Sequence, residues 1–163
     1  MKARKSSTVV TGLSTGQAQY FQQKLGTAIS DASYIKKGKQ LEKMGNFDGA
    51  IENYKRALSG YKGVARICIA NAYEKKHDYK TALEWMILVR DHVNEWAKKP
   101  HEERVKYLGY ALQGEYELAV THAKKAIEDY MSIYSDMPVQ KQEYIDRLND
   151  LIAAKDHILS LKQ

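Results

Sequence analysis

Cysteine and proline are nearly missing from this chain of 163 residues. Cys68 stands alone, so no disulfide can close within the chain, and a reduced compartment is the simplest expectation. With only Pro100 and Pro138 present, almost the whole sequence is open to long helices. No apolar run approaches the roughly 18–20 residues that cross a bilayer. The basic start at Lys2, Arg4 and Lys5 lacks the apolar stretch of a secretory signal behind it. A cytoplasmic protein without membrane insertion is therefore expected. The ten glycines are scattered and never gather into a phosphate-binding loop. No two of His77, His92, His101, His122 and His157 stand four residues apart, and Cys68 has no close His or Cys in sequence. No catalytic residue, metal ligand or cofactor is expected, and the chain reads as a non-enzyme.

What is present describes one folded domain. Hydrophobic residues make up 44% and charged residues 28%, and a chain of this length buries roughly 70% of its unfolded surface without staples. Lys and Arg number 26 against 20 Asp and Glu, a net charge of +6. That balance admits acidic peptides, anionic lipid or nucleic acid as partners. The cations are interspersed with acids, as in Lys43, Asp48, Glu52 and Lys55, which argues against a phosphate-tracking surface.

Three blocks repeat without internal gaps: Met44 to Ala50, Lys76 to Ala82 and Gln113 to Ala119. Each sets a turn residue, a polar residue and an aromatic (Phe47, Tyr79, Tyr116) ahead of an alanine. The alanines are 32 and 37 residues apart, a spacing that brackets a 34-residue helix-turn-helix unit. Helical periodicity flanks every block, with Tyr34, Gly38 and Leu41 before the first and Ile51, Tyr54, Ala57, Leu58 and Tyr61 after it. Asn46 and Asp78 stand where they can cap a following helix. Gly38, Ala50, Ala57, Ala70, Ala82, Ala119, Ala123 and Ala126 offer low-volume points where paired helices approach closely. Leu41, Tyr73 and Tyr110 supply a bulky side chain near the end of each first helix.

Outside the blocks, Ser14-x-x-Gln17 has the form of a capping box and predicts a helix over about 15–30, with Ala18, Phe21, Leu25 and Ala28 on one face. Residues 1–13 read as a flexible tail. The helix after Tyr79 is expected to run through Val93 and Trp96 until Lys98-Lys99-Pro100 stops it. Beyond Pro138, the stripe Ile145, Leu148, Ile152 and Leu159 predicts a long amphipathic helix over about 139–162, suited to cover the open end of a stack.

On these blocks the chain resembles the tetratricopeptide repeat family over about residues 31–134. The resemblance implies an all-α, right-handed solenoid of antiparallel helix pairs within a single domain, 14–163, with repeats at about 31–61, 62–99 and 100–134. It also implies a non-catalytic interaction scaffold whose first helices line a concave face. Carried onto this sequence, that face holds Ile35, Lys39 and Lys43, then Ile67, Asn71 and Lys75, then Arg104 and Leu108. Alternating apolar and cationic positions suit a partner peptide or helix with acidic and apolar residues. The family's carboxylate clamp for chaperone tails is absent, since its places hold Ile35, Lys39, Cys68, His101 and Val105. A self-assembling structural adaptor, or a homo-oligomer, is the alternative reading, and a basic helical nucleic-acid binder a weaker one.

Overall fold

The computed structural model describes residues 14–133 and, further on, residues 142, 145, 146, 148–150, 152, 153, 155 and 156. The tail at 1–13 and the rest of the segment 139–162 lie outside the described residues. Six helices follow one another: α1 (Thr15–Lys43), α2 (Phe47–Arg56), α3 (Lys62–Lys75), α4 (Tyr79–His92), α5 (Glu95–Leu112) and α6 (Tyr116–Ile133). The described residues of the C-terminal region, apart from those six helices, are helical as well.

The three repeated blocks close three helix pairs with the same turn. Gly45, His77 and Gly114 each take a left-handed φ, of 76°, 58° and 77°. The next residue's N–H then donates back to the carbonyl of Leu41, Tyr73 or Tyr110 at 2.9–3.0 Å. This is the six-to-one bond of a Schellman ending, and glycine suits its left-handed residue because it has no Cβ to clash. The second helices start on side-chain caps: Asn46 accepts from the Gly49 N–H at 2.9 Å and Asp78 from the Thr81 N–H at 3.1 Å. At the chain's first helix, Ser14 and Gln17 form the reciprocal capping box.

Each helix packs chiefly on its neighbours in sequence, α1 on α2, α2 on α3, and so on to α6. The small residues sit at those contacts: Ala50, Ala57, Ala70, Ala82, Ala119 and Ala126 are completely buried. A Cβ built on Gly38 would come within 2.4 Å of the Tyr54 ring, so α1 and α2 meet there because residue 38 has no side chain. The core is strung along the stack. One cluster joins α2 and α3 around Ile51, Tyr54 and Ile69, with Ile35 and Leu41 of α1 against it. A larger one joins α3 to α6 around Met86, Tyr107 and Leu108. Tyr73 and Trp85 touch both clusters and tie them together. This nearest-neighbour stacking is an all-α, helix-pair repeat architecture.

Two boundaries differ from expectation. No break separates a helix at 15–30 from the first repeat; α1 is one helix of 29 residues, because nothing between Gly26 and Gly38 interrupts it. At about 43 Å, it overhangs the ten-residue α2. Further on, α4 ends at His92, where Val93 turns extended, and α5 begins at Glu95. Pro100 therefore lies inside α5 rather than ending α4. The second helix pair accordingly closes at His92, and Trp96 is 63% exposed.

Candidate interaction surface

The first helices of the pairs carry the residues singled out from sequence, and the structure separates them into two groups. On α1, Ile35, Lys39 and Lys43 recur at four-residue steps and form one stripe. Lys39 and Lys43 are exposed, while Ile35 is half-buried against the α2–α3 cluster. On α3, Ile67 is half-buried, and so is Lys75, which pairs with Glu42 of α1. Glu42 also accepts from the Tyr54 hydroxyl at 2.6 Å, so one carboxylate links α1, α2 and α3.

Asn71, Arg104 and Leu108 lie in the interior, not on an open face. Leu108 is fully buried in the α3–α6 cluster. Arg104 is 2% exposed, and its guanidinium donates to Asn71 Oδ1 at 2.7 Å and to Glu74 Oε2 at 3.2 Å. The Tyr107 hydroxyl donates to Glu74 at 3.0 Å and accepts from Arg104 Nε at 3.1 Å. A buried guanidinium needs such an anion, and Glu74 supplies it. Sequence reading passed over Glu74; the signal was there in Asn71 and Glu74 one helical turn apart on α3, matched by Arg104 and Tyr107 at the same spacing on α5.

A second polar cluster joins α5 to α6. Glu103, 3% exposed, receives His122 Nδ1 at 2.7 Å and Lys106 Nζ at 2.8 Å, with Lys125 at 3.5 Å. Burial alone would raise this carboxyl, but the bonds from His122 and Lys106 and the charges of Lys106 and Lys125 win and bring its pKa to about 2. His122 stacks on Tyr110 with ring centroids 5.2 Å apart. His101 is also buried, with no hydrogen-bond partner at Nδ1. Burial, reinforced by the Arg104 charge, lowers its pKa to about 4.

Both carboxylate clusters are filled by cations and donors of the chain itself, an arrangement that holds helices together. Among the described residues, no group of three or more His, Cys, Asp or Glu side chains is placed to hold a metal ion, and no helix is long and apolar enough to cross a membrane. Cys68 is buried at 6% exposure beside Ile69. Two concavities stand out among the described residues. One, of about 330 Å³, is lined by Glu42, Phe47, Lys75, His77, Asp146 and Asp150. The other, of about 720 Å³, lies between the overhang of α1 and the turn at Ser59 and Gly60.

No protein-family model, no curated protein and no solved structure matches the chain. The class is thus defined by the fold itself: an all-α protein of stacked helix pairs.

Proposed function

We propose that this protein is a non-catalytic interaction scaffold, built as a right-handed, tetratricopeptide-type solenoid, that holds a segment of a partner protein along its first helices. The observation that carries this reading is the stripe on α1. Lys39 and Lys43 stand exposed in line with half-buried Ile35, and half-buried Ile67 and Lys75 lie on the next first helix. Cations beside aliphatic surface match a partner segment that brings both acidic and apolar residues. The three like turns support the repeat reading, because each closes a first helix onto its second with the same left-handed residue and the same six-to-one bond. Arg104, Asn71 and Leu108 serve that surface from beneath by fixing α3 against α5.

The test places a photo-crosslinking side chain at position 43, and separately at exposed Val64 on α3, in the full chain within its native host. Crosslinks to one partner at 43, lost in a Lys39→Glu/Lys43→Glu variant of unchanged helicity, are the expected result. Equal crosslinking from both positions, or capture indifferent to the reversal, would refute the reading.

One observation favours a second reading, the self-assembling adaptor. The overhang of α1 exposes Tyr20, Phe21, Leu25 and Ile29 at 55–64% of their surface. Apolar side chains this exposed on one helix are costly to leave in water. Light scattering across concentration decides: a dimer abolished by Phe21→Glu/Leu25→Glu would move priority to self-assembly.

A further inference from the structure

Asp31 is the first buried residue along α1 among those described. It is 3% exposed and accepts from Ser59 Oγ at 2.8 Å and from the Gly60 N–H, so it pins the helix to the turn after α2. From there back to Thr15 runs about 24 Å of helix, in which Ala18 is half-buried and every other described side chain is exposed. A lone helix of this length is marginal in water, because helices in proteins are held mainly by packing an apolar face.

One face joins this overhang to the stripe of Ile35, Lys39 and Lys43. Phe21, Leu25, Ala32, Ile35 and Lys39 recur at steps of four, seven, three and four, which keeps them on one side of the helix. Phe21 and Leu25 are 57% and 63% exposed, Ala32 and Lys39 are exposed, and Ile35 is half-buried. Phe21 and Leu25 also border the concavity of about 720 Å³ against Ser59 and Gly60. Along its length the face changes character. Between Thr15 and Ser30 the single charge is Lys24, whereas Lys36, Lys39 and Lys43 stand exposed on the other half. The two acids of α1 are both held by the body of the protein, Asp31 at the turn and Glu42 by Lys75 and the Tyr54 hydroxyl. Asp48, at the start of α2, pairs with Lys76.

We propose that this face receives an α-helix of a partner protein, laid antiparallel to α1, acidic in its first turns and apolar in the turns that follow. The inference rests on the receptor reading given above and adds the conformation, direction and charge order of the segment received. A helix rather than an extended chain follows from the backbone of α1. Its mid-helix N–H and C=O groups are already paired, so an extended segment would find no backbone partner there, while a helix brings its own bonds. The direction follows from charge. Acids that face Lys39 and Lys43 are best placed in the first turn of a helix, where its dipole favours them, and an antiparallel partner sets that turn beside the C-terminal end of α1. A second copy fits this face poorly. Antiparallel, its Lys39 and Lys43 would fall on Phe21 and Leu25, and parallel, lysine would meet lysine.

The test places a photo-crosslinking side chain at exposed position 25, and separately at 43, in the full chain within its native host, and maps the attached residues by mass spectrometry. The two positions lie about 27 Å apart along α1. Expected is one partner, in which the residue captured from 25 lies about 18 residues C-terminal to the one captured from 43, as a helix of that span requires. A separation of about 8 residues would mean an extended segment, and the opposite order a parallel one; either overturns the proposal. So would capture from 25 of a different protein, or of α1 of a second copy. Phe21→Ser/Leu25→Ser changes exposed positions only, and with native helicity it should cut capture from 43 by about ten-fold. Unchanged capture would refute the extended face. Capture from 43 with none from 25 sinks this inference and leaves the receptor reading standing, whereas no capture from either, in chains of native helicity, sinks both.

Discussion

Arg104 and Glu74 form an ion pair at 3.2 Å in which the two side chains are only 3% and 2% exposed, one from α5 and one from α3. Removing one partner of such a pair strands the other charge in the interior, at a cost of about 3–5 kcal/mol. Arg104→Ala should therefore lower unfolding stability in urea by that amount. The double variant Arg104→Met/Glu74→Leu should recover a large part of it, and a cycle of the two single and double variants measures the coupling. A loss below about 1 kcal/mol for Arg104→Ala would mean that the pair is not an anchor between the helices.

His101 makes stability depend on acidity. Its pKa falls from the ordinary 6.5 to about 4 because burial, and then the charge of Arg104, disfavour the protonated ring. The folded chain thus favours neutral imidazole, so the contribution is fully present above pH 6.5 and is lost as pH falls through 6.5 toward 4. The full loss is about 3 kcal/mol. Chemical unfolding at pH 7 and pH 4.5 should show this drop, and His101→Leu should flatten it. Glu103, held at about 2, adds a separate loss between pH 4.5 and 2.

Two glycines in helices should respond in opposite ways to alanine. At Gly38 the new methyl would meet the Tyr54 ring at 2.4 Å, and overpacking of this kind costs about 1–3 kcal/mol. At Gly109 nothing lies within 4 Å, so Gly109→Ala should gain up to ~1 kcal/mol from helix propensity. Thermal melts of the two variants check the pair of signs.

His77 occupies the left-handed position that glycine fills in the other two turns. A side chain there costs about 1–2 kcal/mol, offset in part by its 3.1 Å contact with the Tyr79 hydroxyl. His77→Gly should raise stability by about 1 kcal/mol, read as a shift in the urea midpoint with unchanged slope.

The repeat was legible because its signals are local. Turn, cap and alanine sit within seven residues of one another, and the structure places Asn46, Asp78, Ala50, Ala82 and Ala119 as the pattern implies. The surface was harder to read. Arg104 and Lys39 look alike in one dimension, and only the distant Glu74 decides that one is buried and the other solvated. Pro100 misled because a proline need not end a helix: it is accommodated at the sixth position of α5, and the break falls at Val93 instead. The neighbour of the C-terminal stripe was equally hidden, because amphipathic spacing at Ile145 and Leu148 says that a face is covered but not that Leu148 meets the α3–α6 cluster.

The chain's two indoles stand in opposite surroundings, Trp85 at the seam between the core clusters and Trp96 in solvent at the corner between α4 and α5. Iodide should quench Trp96 freely and spare Trp85, so a single quenching titration resolves the emission into an outer reporter and an inner one. Replacing Trp96 by Phe would leave a fluorophore whose colour reports whether the first two hairpins are still joined.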